Sequence, residues 1–185
     1  MAFGQPTVLI VITLAGMLTG CADLSNRAPG CVSPPYEAAL LDELAKDPAL
    51  AVSPADAKRR DEPRRQVACR KVGKDVSRTS VTVEYDVSRD LDIADVRATF
   101  DPVASGAGWI SMSGRQNDSN GSLLYCRNVL DQPSLLSIHW QDAITIDSDG
   151  ENRRVPGALI VTASGSADGG LANVESDRRA AGCAA

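Results

Sequence analysis

The sequence predicts an α+β fold: a two-layer domain in which helices pack on one face of an antiparallel sheet. Apolar and polar residues alternate over Val81–Val87, which is the period of a half-buried strand. Apolar residues then recur at helical spacing over Ile93–Val103. Two turn signals follow, Asn120-Gly121 and Asp149-Gly150. They separate short apolar segments that we expect to pair as antiparallel strands.

The first predicted helix begins near residue 33. Ser33 can act as its N-cap, and Pro34 suits the first helical position. The helix should end at Asp47-Pro48, because a residue before proline is disfavoured in the α region. Its predicted buried face consists of Tyr36, Leu40 and Leu44.

The second predicted helix follows the first clear strand. Asp92 is placed to cap it. Pro102 lies inside the helical pattern and should kink the helix or end it near Phe100.

The remaining strands are predicted from short apolar segments between turns. Pro156 should confine the start of the last strand to an unpaired edge position. Residues 49–66 show no periodicity and are predicted to be irregular. The predicted strands are Trp109–Met112, Ser122–Asn128, Leu135–Gln141 with Leu136, Ile138 and Trp140 on one face, and Val155–Ser164.

An apolar run near the N-terminus predicts export. Val8–Leu18 is shorter than the roughly 20 residues of a membrane-spanning helix, and its length is typical of an export signal. It ends in Leu18-Thr19-Gly20-Cys21, which resembles the lipobox of bacterial lipoproteins. The resemblance implies cleavage before Cys21 and attachment of a diacylglyceryl group to it. The alternative is a buried core helix, but the run is apolar all round and has no cap.

These features predict the domain organisation of the chain. Residues 1–20 are a lipoprotein signal peptide, 21–32 a tether, 33–164 a single α+β domain and 165–185 an irregular C-terminal tail. Two acyl chains hold a protein stably on a bilayer, so we expect a cell-membrane location on the extracytoplasmic side. The segment 69–164 also resembles small uncharacterised lipoproteins of high-GC Gram-positive bacteria, a resemblance that implies no activity.

The other four cysteines predict two disulfides. Even numbers of cysteines in exported proteins are usually bridged, and none of these four has the close spacing of a zinc or redox site. Three connectivities are possible. We expect Cys31–Cys183, which would hold the tail to the start of the domain, and Cys69–Cys126, which flank the most periodic region.

Charge narrows the range of partners. The net charge of −5 argues against general nucleic-acid binding. Lys58–Lys71 nevertheless contains seven basic and two acidic residues. We interpret it as a solvated linker. The alternative is a basic patch that faces anionic lipid or wall polymer, carried by Arg59, Arg60, Arg64 and Arg65.

The search for catalytic motifs finds no recognisable nucleophile and base. His139 is the only histidine, and it shares a polar strand face, so a surface position is expected. Asp147–Glu151 departs from a calcium loop and is interpreted as a turn. No metal or cofactor is therefore expected. Two hypotheses remain: a non-catalytic domain that binds an envelope protein, polymer or small ligand, and an enzyme that uses carboxylates such as Glu84 and Asp86.

Overall fold

The computed structural model describes residues 35–68, 78–148 and 151–165. The predicted signal peptide, the tether, the cap Ser33 and the tail after residue 165 lie outside these ranges. Asp149 and Gly150 also lie outside them.

The described chain contains two α-helices, one short 3-10 helix and nine strands. The helices are α1 (Pro35–Ala45), the 3-10 helix (Pro48–Ala51) and α2 (Ile93–Gly106). The strands are β1 (Ala57–Arg59), β2 (Arg64–Gln66), β3 (Thr79–Val87), β4 (Ile110–Gln116), β5 (Asn120–Val129), β6 (Gln132–Gln141), β7 (Ile144–Ser148), β8 (Glu151–Val155) and β9 (Gly157–Gly165).

Seven strands form one antiparallel sheet in the order β1-β3-β9-β6-β5-β4, with β2 also paired to β3. β7 and β8 form a separate two-stranded sheet in which Ser148 pairs with Glu151. The long strands β3, β9, β6 and β5 therefore form the centre of the large sheet. The short strands β1 and β2 share one edge of β3.

The predicted fold class is wrong, because the fold is dominated by sheet. Strand makes up 48% of the structure and helix 25%, in only two α-helices. The prediction counted four or five strands and treated residues 49–66 as irregular. That segment contributes β1 and β2, and the chain between β6 and β9 contributes β7 and β8. β1 and β2 are three residues long and carry lysine and arginine, as edge strands often do, so they lack the apolar alternation from which strands are recognised.

The core lies on one face of the large sheet. The alternation predicted for β3 is confirmed: Val81, Val83, Tyr85 and Val87 are all buried. Residues that are directly opposed on neighbouring strands point to the same side of the sheet. The strands next to β3 therefore contribute their buried residues to the same face. The main members of this core are Leu159, Val161, Leu136, Ile138, Trp140, Leu123 and Tyr125 from the sheet, and Leu40, Leu44, Val96, Phe100 and Ala104 from the helices.

α1 ends before Pro48 as predicted, but its buried face is smaller than predicted. Leu40 and Leu44 are buried, whereas Tyr36 is 43% exposed. A buried polar contact fastens the helix to the sheet, because the Thr79 hydroxyl donates to the Glu37 carboxylate. The same hydroxyl accepts a bond of 2.8 Å from the Ala68 backbone N–H.

α2 is capped by Asp92 as predicted, since its Oδ1 accepts a 2.8 Å bond from the Asp95 N–H. The predicted end near Phe100 is wrong: the helix continues through Pro102 to Gly106. Pro102 is exposed, while Ala104, two residues further on, is fully buried in the core. Burial of Ala104 helps to offset the backbone hydrogen bond that proline removes.

The predicted hairpin forms between β4 and β5, but its turn is centred on Asp118 and Ser119, two residues before the Asn120-Gly121 signal. Asn117 and Asn120 close the turn, with a 2.9 Å bond from the Asn117 N–H to the Asn120 carbonyl. Gly121 is already paired within β5. Its role is steric, since a Cβ there would lie only 1.9 Å from the ring of Trp140.

The predicted edge position for the start of β9 is also wrong. β9 is a central strand, paired with β3 on one side and with β6 on the other. Pro156 lies just before its first residue, Gly157. The missing N–H of Pro156 therefore removes no hydrogen bond from the sheet. Next to a central strand, this position before the first paired residue is where proline is tolerated.

Candidate functional site

The edge strands β1 and β2 divide the basic stretch between two faces of the sheet. Arg59 pairs with Tyr85, and Arg65 pairs with Val81. Tyr85 and Val81 point into the core, so these two arginines lie on the helix side. Arg64 pairs with Thr82 on the opposite face, and the Arg60 N–H bonds the Glu84 carbonyl. Between β1 and β2 the register on β3 shifts by two residues, and because this number is even the alternation of faces is preserved.

The arginines on the outer face are bound to carboxylates. The Arg60 guanidinium donates to Asp86 Oδ1 from Nε at 3.0 Å and from Nη2 at 2.6 Å. It also lies 3.4 Å from Glu84 Oε2, while Arg64 donates to the other oxygen of Glu84. The hydrogen bond to Asp86 raises the pKa of Arg60. Glu84 and Asp86, the candidate catalytic carboxylates, are thus occupied by two guanidinium groups.

The arginines on the helix side flank a cleft. It has a volume of about 250 Å³ and lies between the end of α1, the 3-10 helix and the edge strands. Arg59 and Arg65 are exposed, and neither forms an ion pair with any residue that the structure describes. Apolar residues line the rest of the cleft, chiefly Ala45, Pro48, Leu50, Pro63 and Val81.

A buried carboxylate holds the wall of this cleft in place. Asp47 caps the 3-10 helix, because its Oδ1 accepts a 2.9 Å bond from the Ala49 N–H. Its Oδ2 accepts bonds of 2.7 Å from both Trp109 Nε1 and Arg127 Nη2. The Arg127 guanidinium also lies 4.4 Å from the centre of the Trp109 ring, within cation–π range. Asp47 therefore joins the 3-10 helix to strand β5 and is not free to repel an anion in the cleft.

A second buried polar group fixes the floor of the cleft. The Tyr85 hydroxyl lies 3.3 Å from the Leu50 carbonyl oxygen and 3.2 Å from that of Val52. Burial raises the pKa of Tyr85, and the positive charge of Arg59 opposes that rise.

The structure does not bring the other sequence-predicted residues to this cleft. His139 is exposed on β6, as expected. Cys126 is disulfide-bonded and fully buried on the face opposite the main core. The cysteines Cys31, Cys69 and Cys183 lie outside the described residues, as does Cys21. The pairings Cys69–Cys126 and Cys31–Cys183 therefore stay predictions.

Sequence reasoning missed the Asp47 network. An aspartate before proline indicated the end of α1, but nothing local indicated that its second oxygen binds a residue 80 positions away. Arg127 stands in β5 among apolar residues, and an isolated arginine in a buried strand could have suggested a charged partner. It could not have identified which one.

No protein-family model matches this chain, and neither a curated protein nor a solved structure is significantly similar to it. Within residues 35–68, 78–148 and 151–165, no helix is long and apolar enough to cross a bilayer. The same residues contain no cluster of three side chains suited to holding a metal ion.

Proposed function

We propose that this protein is a lipid-anchored envelope protein whose domain binds an anionic ligand without transforming it. One observation carries the binding role. Four arginines lie close together in the sequence, yet among the residues that the structure describes only Arg60 and Arg64 have carboxylate partners. Arg59 and Arg65 face a cleft with an apolar lining instead. A cleft of this kind is typical of a small-molecule site, in which a few polar groups orient a ligand on apolar walls.

The proposed anchor depends on Cys21. The sequence Leu18-Thr19-Gly20-Cys21 after an apolar run supports lipid attachment at this cysteine. A diacylglyceryl group supplies two acyl chains, which suffice for stable membrane attachment. The protein would then bind its ligand at the extracytoplasmic surface of the membrane.

The geometry disfavours the alternative, an enzyme that uses Glu84 and Asp86. A catalytic carboxylate must reach the proton or atom on which it acts. Both groups instead lie within ion-pair distance of arginine side chains. The adjoining void, lined in part by Glu84 and Thr82, has a volume of only about 90 Å³, far below the roughly 300–1,000 Å³ of sites for drug-sized molecules.

The anchor is tested by replacing Cys21 with alanine in the full chain, expressed in a host that exports lipoproteins. The expected result is loss of the lipid mass and loss of lipid-dependent membrane attachment, measured by intact mass spectrometry and fractionation. Cys31→Ala is the matched control, because we expect it to retain the lipid. An unmodified Cys21 in the wild-type protein would refute the anchor.

The binding role is tested by melting the full chain with inorganic phosphate, polyphosphate, citrate and octanoate in turn. At least one anion should raise the melting temperature of the wild type and of Arg60→Gln/Arg64→Gln, but not of Arg59→Gln/Arg65→Gln. The two double variants lose the same charge from adjacent positions at the end of β1 and the start of β2. Equal responses of both variants, or no response of the wild type to any anion, would contradict the proposal. Chemical conversion of the bound anion would also contradict it.

A further inference from the structure

We infer that the cleft between α1, the 3-10 helix and the edge strands holds a single-chain amphiphilic carboxylate, that is, a carboxylate that carries one acyl chain. The inference rests on the proposed function, since it names the ligand class of the same cleft. Three properties of the cleft lead to it: its size, the position of its charges and the character of its floor.

Size limits the ligand to one slender group. The volume of about 250 Å³ lies just below the roughly 300–1,000 Å³ of pockets for drug-sized ligands. The cleft is open to solvent on one side, so a longer chain can extend beyond it. Two acyl chains or a folded polymer segment would not fit side by side.

The charges select an anionic head group at the rim. Arg59 and Arg65 supply two guanidinium groups, whose planar donors match a carboxylate with two parallel hydrogen bonds. Lys46 adds a third cation, although it is paired with Glu43 at 2.6 Å. The one carboxylate in the lining, Asp47, is fully buried and already accepts three hydrogen bonds.

The floor selects an apolar tail. The apolar part of the lining consists of Ala45, Leu50 and Val81 together with Pro48 and Pro63. A small hydrated ion such as phosphate would leave this surface in contact with water. An acyl chain would cover it and would contribute about 25 cal/mol for each Å² of apolar surface removed from water. The combination of both features therefore favours an amphiphile over a free inorganic anion.

The test is a titration of the full chain, purified and inserted into nanodiscs of phosphatidylcholine, followed by calorimetry with empty nanodiscs subtracted. Octanoate is the probe. Octanol has the same chain without the charge, and acetate and inorganic phosphate have the charge without the chain. Arg65→Gln and Arg64→Gln form the critical pair of variants, because they are neighbours on β2 that face opposite sides of the sheet.

We expect saturable octanoate binding that is weakened at least about tenfold by Arg59→Gln or Arg65→Gln, as the loss of one charge-assisted hydrogen bond predicts. Arg64→Gln should leave it within twofold of wild type. Octanol and acetate should each bind at least tenfold more weakly. Octanoate binding that responds equally to Arg64→Gln and Arg65→Gln would overturn the inference.

Two further outcomes separate this inference from the proposed function. Phosphate binding that matches octanoate and depends on Arg59 and Arg65 would overturn the amphiphile but retain an anion-binding cleft. No arginine-dependent binding of any anion would overturn both. Saturable octanoate binding with the expected variant pattern, in a protein whose Cys21 is unmodified, would support the cleft and refute only the anchor.

Discussion

Replacing Asp47 with alanine should destabilise the whole domain, although Asp47 lies outside the helices and strands. Its side chain is fully buried and makes three hydrogen bonds, to the Ala49 N–H, Trp109 Nε1 and Arg127 Nη2. The substitution removes every one of these acceptors at once. It also leaves Arg127, whose side chain is only 21% exposed, without its carboxylate.

The magnitude follows from the three lost contacts. Loss of a helix cap costs about 1 kcal/mol, and a buried indole N–H without an acceptor costs about 1–3 kcal/mol. Breaking a buried ion pair costs about 3–5 kcal/mol, less here because Arg127 keeps its bond to the Ala107 carbonyl. Because members of one network do not contribute independently, we expect a total loss of about 3–5 kcal/mol of unfolding free energy.

The assay is urea unfolding of the full chain, followed by the fluorescence of its two tryptophans and supported by a thermal melt. At about 2–4 °C per kcal/mol for a chain of this size, the melting temperature should fall by at least about 6 °C. Asp42→Ala is the matched control, because it removes an exposed carboxylate five residues away and should change stability by less than about 0.5 kcal/mol. A loss below about 1 kcal/mol for Asp47→Ala would refute the reasoning.

Three further predictions address single side chains. Burial and a hydrogen bond to a carboxylate raise the pKa of Tyr125. The folded protein therefore gains free energy of unfolding from protonated Tyr125 below a pH of about 10, the pKa of tyrosine in the unfolded chain, and loses it as the pH rises further. Tyr125→Phe should flatten this alkaline fall in urea titrations from pH 8 to 11, and an unchanged slope would contradict the assignment. Gly121→Ala should cost about 1–3 kcal/mol by overpacking, because its Cβ would overlap the Trp140 ring. Gly106→Ala, with open space around it, should be neutral or slightly stabilising in the same melts. His139→Gln should leave the melting temperature within about 2 °C and ligand binding unchanged, because the side chain is exposed; loss of binding would show that it belongs to a site.

Local periodicity predicted the long elements well, because their signals lie within a few residues. The alternation over β3 and over β6 follows directly from one face packing on the core and the other facing outward. The Asp92 cap likewise depends on one side chain and a backbone N–H three residues later. Each of these features can form and be recognised without knowledge of the rest of the chain.

Elements whose stability depends on distant partners were predicted poorly. Asn120-Gly121 is a strong turn sequence, yet the ladder between β4 and β5 includes Gly121 because the Trp140 ring needs the space that a side chain would fill. Pro102 predicts a kink in α2 or its end near Phe100, yet α2 continues to Gly106 with Ala104 buried in the core. In both cases the free energy of tertiary packing exceeds the free energy of the opposing local conformational preference.

The sequence by itself determined the charge of the edge segment and the amphipathic strands and helix that form the core. The export signal on which the proposed anchor depends stays a prediction. The tertiary structure decided what the charges do. Because β1 and β2 pair with β3, Arg60 and Arg64 lie beside carboxylates, whereas Arg59 and Arg65 lie on the opposite face and line a cleft. The physical reason is that side-chain direction in a strand alternates with register, and register is set by the partner strand, about 20 residues away in the chain.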